Sequence, residues 1–150
     1  MTEIDSAKLV ADTAALDDFN REVTEEFRAN GGKVAGYFED DDVLLLHTTG
    51  AKSGKPRLSP LVYLIVDGKI LIVGSYGGSP KDPAWVHNLR AHPTAHIEVG
   101  TESYDVDVRE LAGEERDATF SKLVELTPVF AEHQTNAGRR TLPVFELTRV

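Results

Sequence analysis

The run VLLLHTTGAKSGKPRLSPLVYLIVDGKILIVGS, residues 43–75, decides the fold. Glycines and charges divide it into three β-compatible segments, Val43–Thr49, Leu58–Val66 and Lys69–Ser75. Asp67-Gly68 between the second and third is a two-residue hairpin signal, because the tight turn there needs positive φ at both central positions. Pro60 has no N–H to give to a ladder, so the second segment is expected at a sheet edge or a bulge. Three consecutive strands therefore form the centre of the chain.

Upstream, Leu16, Phe19, Val23 and Phe27 recur at spacings of three and four, which predicts a helix over about residues 12–30. Gly31-Gly32 supply its stop. Its polar face holds Asp17, Asp18, Glu22, Glu25 and Glu26, whereas a membrane-surface helix favours Lys and Arg, so it is expected to pack on its own domain. Downstream, Asp82 as N-cap and Pro83 at the first helical position predict a short helix through about Arg90. Thr94–Val99 and Tyr104–Leu111 read as strands around a turn at 100–103. Glu114–Leu126 reads as a helix, with Phe120, Leu123 and Val124 as its stripe. A further short helix reaches about Asn136, and Leu142–Thr148 is a last strand. The order α-βββ-α-ββ-α-β points to one α+β domain over residues 1–150, built on a six-stranded antiparallel sheet or barrel with flanking helices. The βα alternation and the G-x-G-x-x-G of a nicotinamide-binding domain are missing.

Bulk chemistry narrows the function. The net charge of −9 argues against nucleic acid and against an anionic membrane surface as partners. No apolar stretch approaches the roughly 20 residues that span a bilayer, and the first residues lack a signal-peptide pattern, so a cytoplasmic protein is expected. With no cysteine, disulfides, thiolate chemistry and Cys-based zinc sites are excluded. His87, His92 and His96 lie close in sequence, but Pro93 separates a helix end from a strand start, and no metal site is expected.

Charge is unevenly spread. Glu39–Asp42 is an acidic run, while Val43–Lys81 holds Lys52, Lys55, Arg57, Lys69 and Lys81 against the single acid Asp67. A basic segment on an acidic protein suits a small anion. Within it, Gly50-Ala51-Lys52-Ser53-Gly54-Lys55-Pro56-Arg57 combines glycines that allow a tight turn with donors of the kind phosphate needs. Only three residues separate Gly50 from Gly54, and Pro56 follows Lys55, so this is not a P-loop; a solvated basic hairpin tip is the alternative. A second cluster, Gly74 to Asn88, runs from a strand through Gly77-Gly78 into a helix start, permitting close backbone approach by a ligand. Its Trp85, the one tryptophan of the chain, is either a core aromatic or a wall beside a planar cofactor.

Read together, Thr-Thr-Gly-x-Lys-Ser-Gly-x-x-Arg-x-x-Pro-Leu from Thr48 to Leu61 and Gly-Gly-x-x-Lys-x-Pro-x-Trp-x-x-Asn from Gly77 to Asn88 form a specific pattern. The chain resembles the deazaflavin (coenzyme F420)-dependent nitroreductase and quinone-reductase family over about residues 27–150. Asn88-Leu89-Arg90-Ala91-His92-Pro93 and Leu142-Pro143-Val144 continue the match. The resemblance implies a six-stranded split β-barrel related to FMN-binding reductases. It implies an F420H2-dependent oxidoreductase that passes a hydride to a quinone, enone or nitroaromatic acceptor. By the same resemblance Ala51, Lys52, Ser53 and Arg57 hold the phosphate and glutamate tail. Leu58, Ser59, Pro60, Leu61 and Val62 line the ring and ribityl chain, largely through backbone. Ser75, Gly77, Gly78, Ala84, Trp85, Val86, His87 and Asn88 close the other side. Thr127, Phe130 and His133 align with the acceptor pocket, where relatives place tyrosines, and His133 is the candidate proton donor. An FMN-dependent reductase on the same barrel and a non-catalytic carrier of deazaflavin or another apolar ligand are the alternatives. Whether the chain is a monomer or a homodimer stays open.

Overall fold

A computed structural model describes residues 13–34, 42–75 and 81–150, with side chains from residue 17 onward. The start of the first helix, the Leu16 side chain, Glu39–Asp41 and Gly77-Gly78 lie outside the described residues. Helix α1 spans Thr13–Ala29; strands β1 Val43–Thr49, β2 Pro56–Val62, β3 Leu64–Val66 and β4 Lys69–Val73 follow. Then come α2 Ala84–Ala91, β5 Thr94–Val99, β6 Glu102–Glu110, α3 Gly113–Leu126, α4 Val129–Asn136 and β7 Val144–Arg149. No helix among the described residues is long and apolar enough to cross a membrane.

All strand pairings are antiparallel, in the order β2-β1-β5-β6-β7-β4-β3. Six strands were expected and seven are present among the described residues, because the run Leu58–Val66 divides at Tyr63. Its first part pairs with β1 and its second with β4. The consequence is geometric. β2 and β3 are the two ends of the sheet, yet Tyr63 alone separates Val62 from Leu64. A flat sheet of this order would hold those ends roughly 29 Å apart at about 4.8 Å per strand step. The sheet must curl until its ends meet.

The pleat shows which face lies inside. Leu44, Leu46, Leu61, Tyr63, Ile70, Ile72, Ile97, Val106, Phe145 and Leu147, alternate positions from six of the strands, gather in one cluster. Trp85, Val86 and Leu89 of α2 join it, with Trp85 edge-on to Phe145 at 5.6 Å between ring centroids. Helix α2 therefore plugs the curled sheet. The outer faces are covered separately: α1, through Val23 and Phe27, lies over Val43 and Leu45, and α3 with α4, through Leu123 and Phe130, lies over Leu71 and Val144.

Local signals explain most boundaries. Asp67 and Gly68 have φ of 53° and 78°, as the expected two-residue turn requires. Pro60 does lie on an edge strand. Helix α1 ends with the Gly32 N–H on the Phe27 carbonyl at 2.8 Å and Gly31 at φ 64°. A Cβ on Gly32 would collide with the backbone of Gly100, so only glycine fits there. One expectation is corrected. Asp82 does not cap α2; Pro83 is the N-cap residue, no side chain bonds the helix start, and the Asp82 carboxylate is taken by Arg90 and Arg140.

Phe145 is 1% exposed and touches the plug, so Phe145→Ala should destabilise the protein by about 3–5 kcal/mol. Urea unfolding followed by circular dichroism measures it; a loss under 1 kcal/mol would mean the interior is not packed as described.

Candidate functional site

The β1–β2 hairpin projects the first cluster away from the sheet. Its tip is closed by the Gly50 N–H on the Lys55 carbonyl at 2.8 Å and the Gly54 N–H on the Gly50 carbonyl at 2.9 Å. A Cβ on Gly50 would overlap the Ser53 hydroxyl, which itself accepts from the Lys55 N–H at 3.2 Å. The loop is thus folded tightly on itself. Ala51, Lys52, Ser53, Lys55 and Arg57 are all exposed.

Electrostatics give this tip a local positive excess. Arg28, Arg90, Arg109, Arg116 and Arg140 are each paired with a carboxylate. Lys52, Lys55 and Arg57 have no side-chain partner among the described residues, and neither do the backbone N–H groups of Lys52 and Ser53. Three unneutralised cations beside free donors on a protein of net charge −9 fit a phosphate or a carboxylate chain. The residues present suit the anionic end of a phosphorylated cofactor.

Strand β2 forms the next wall. Its register places Ser59 and Leu61 opposite Leu46 and Leu44 on the inner face, and Leu58, Pro60 and Val62 opposite His47, Leu45 and Val43 on the outer face. Leu58 and Val62 pack beneath α1. One molecule cannot touch both sets of side chains. It can meet the backbone, because β2 is an edge whose second side carries no ladder among the described residues.

Helix α2 stands against the hairpin. The Ala51 N–H donates to Asn88 Oδ1 at 2.9 Å, and Asn88 Nδ2 donates to Thr48 Oγ1 at 3.1 Å. The two expected clusters are therefore in contact. Of the stretch Ala84–Asn88, Trp85 and Val86 are buried in the plug, Asn88 is buried in this bridge, and Ala84 and His87 are exposed. Ser75 is half-buried at the end of β4.

One residue here had no sequence signal. Arg140, far along the chain, donates to the carbonyls of Gly74 and Ser75 at 2.7 and 2.8 Å and pairs with Asp82 at 2.7 Å. It joins the end of β4 to the approach to α2. Gln134 donates to the Arg140 carbonyl at 2.6 Å, which ties α4 to the same place. No motif marks Arg140.

The third group lies on α3 and α4. Thr127 is half-buried at the end of α3, and Phe130 is buried against Leu123 and Val144. His133 sits edge-on to Phe130 at 6.3 Å between ring centroids. Among the described residues neither its buried Nδ1 nor its Nε2 has a hydrogen-bond partner. Burial lowers the His133 pKa, opposed by the Glu132 charge. Elsewhere His47 bonds Glu98 at 2.6 Å and His96 bonds Asp105 at 2.8 Å on the outer face of the sheet, away from the plug. No group of three or more His, Cys, Asp or Glu side chains among the described residues could hold a metal ion.

The lowered His133 pKa has a signed consequence. The unfolded chain binds this proton more readily than the folded one, so stability rises with pH between the depressed folded value and the ordinary histidine value of 6.5. Below both values the penalty is complete. The melting temperature should rise across the mildly acidic range, and His133→Phe should flatten that slope; an unchanged slope in the variant would assign it to other groups.

The chain is similar to proteins of known activity. Residues 19–149 match the family described as F420H(2)-dependent quinone reductase. An F420H(2)-dependent quinone reductase of Mycobacterium tuberculosis (strain H37Rv) is 39% identical over 110 residues, 71% of this chain and 72% of that protein. The solved structure of an F420-H2 dependent reductase, FDR-A, is 43% identical with a TM-score of 0.62, covering 71% of this chain and 93% of that one. Another, described as a domain-swapped dimer, is 40% identical with a TM-score of 0.65, covering 88% and 98%. HutZ, a heme storage protein of Vibrio cholerae, shares the fold alone at 14% identity and a TM-score of 0.53, covering 87% and 89%.

Proposed function

Since the chain belongs to the F420H(2)-dependent quinone reductase family, we propose that the hairpin tip, the β2 edge and the exposed face of α2 together hold reduced coenzyme F420 for hydride transfer to a quinone. The protein is an F420H2-dependent oxidoreductase. The observation that carries the site assignment is the cluster of unpaired Lys52, Lys55 and Arg57 on a hairpin bonded to α2. When bound, the reduced deazaflavin supplies the hydride from its C5.

The chain's own residues bind, orient and exclude. Lys52, Ser53 and Arg57, with the N–H groups of the tip, grip the phosphate and glutamate tail. Backbone groups from Leu58 to Val62 lie along the ribityl chain, with Ser59 and Leu61 as the side chains on the inner side. Ser75 and Ala84 with His87 close the opposite side; Gly77 and Gly78, assigned to the same side by the family resemblance, lie outside the described residues. Trp85 and Val86 serve from beneath, by setting where α2 sits, and Asn88 by tying the hairpin to that helix. Thr127, Phe130 and His133 border the acceptor, and His133 gives up a proton from Nε2, the nitrogen that is not buried. Enones and nitroaromatics, planar and electron-poor like quinones, are further acceptors within this reading. The fold is that of the FMN-binding split barrels, with the long second strand broken at Tyr63. A homodimer is compatible with the domain-swapped relative.

Stopped-flow mixing of the protein and F420H2 with menadione tests the activity. Oxidation on a catalytic timescale is expected, and tight binding without turnover across an acceptor panel would instead make the chain a carrier. Lys52→Ala with Arg57→Ala should weaken F420 binding on the order of a hundredfold, if each cation makes one charge-assisted bond; an unchanged dissociation constant would remove the tail from this hairpin. His133→Phe should lower turnover about tenfold or more while sparing F420 affinity, and equal turnover would eliminate it as the donor.

A further inference from the structure

We infer that Asn88 is a positioning residue for recognition of the cofactor's anionic tail: its buried amide sets the hairpin tip and does not itself touch the cofactor. The inference rests on the deazaflavin reading above. Asn88 and Thr48 are each only 6% exposed, so the amide offers little surface to a ligand. Its orientation is forced. A backbone N–H can only donate, so the atom facing Ala51 must be Oδ1, which leaves Nδ2 for the Thr48 hydroxyl. Both bonds are made away from water, where each is worth most and each orphan costs most.

What the amide holds is the start of the tip. Ala51 lies between Gly50 and Lys52, and the loop is closed on itself by the Gly50–Lys55 and Gly54–Gly50 bonds. With these two bonds closing so short a loop, a shift of Ala51 is expected to carry its neighbours Lys52 and Ser53 with it. Charge-assisted bonds to a phosphate need about 2.7–2.9 Å, so a displacement of roughly 1 Å breaks them. The deazaflavin ring, lying against β2 and α2, does not depend on the tip in this way. Loss of the Asn88 bridge should therefore discriminate between the tail and the ring.

The experiment compares two ligands: F420, and the same deazaflavin with its ribityl chain but without phosphate and glutamates. With Asn88→Leu, the F420 dissociation constant should rise at least tenfold while that of the tail-less analogue stays within twofold. In the free protein, the Ala51 amide should lose its protection from hydrogen exchange. A folded variant that keeps F420 affinity within twofold, or loses affinity for both ligands alike, overturns the inference. Should Asn88→Leu fail to fold, Thr48→Val removes only the acceptor for Nδ2; a three- to fivefold loss confined to F420 supports the role, and no loss or an equal loss refutes it. If the unaltered protein binds neither ligand, the deazaflavin reading itself falls. If it binds both equally, the tail does not reach the hairpin.

Discussion

A seven-strand sheet whose ends are joined through Tyr63 alone encloses an interior that must be filled, and α2 fills it. Trp85, Val86 and Leu89 enter the same apolar cluster as Phe145, Leu44 and Ile97. Driving three large apolar side chains into that space fixes the helix along its length and around its axis. Its fourth buried residue is Asn88, a polar group that could not remain there unbonded. The bonds it finds are on the hairpin, so core packing and site geometry are set by one eight-residue helix.

The charges follow the same division. Cations that stabilise the fold are matched: Arg28 holds Glu98 below the usual carboxylate range, with His47 adding to the effect, and Arg109 meets Glu115 and Glu146. Those on the hairpin are left without partners among the described residues. The loop's backbone bonds bring these cations onto one short tip, where a bound anion would neutralise them. The acidic remainder of the surface keeps polyanions away, while a small anion sees mainly the local field.

Much of this was legible in the sequence because it rests on local rules. The Asp67-Gly68 turn, the Gly31-Gly32 stop and the edge position of Pro60 each follow from what a backbone can adopt or donate. Both site clusters were visible because glycine spacing and basic residues are local too. The remainder is tertiary. Nothing at Tyr63 announces that the chain passes there from one end of the sheet to the other. Asp82 looked like a helix cap, and lost that role to two arginines, one of them 58 residues away. Trp85 could have been core or cofactor wall until the position of Phe145 placed it in the core. Arg140 and the bonding of Asn88 could be seen only once distant segments were side by side.

The most direct measurement is a pair of equilibrium titrations of the purified protein, one with F420 and one with FMN, each at low and high salt. Saturable F420 binding, tighter than FMN and weakened by salt as an anionic tail leaves a cationic hairpin, is the expected result. Preference for FMN, or F420 affinity indifferent to salt, would contradict it.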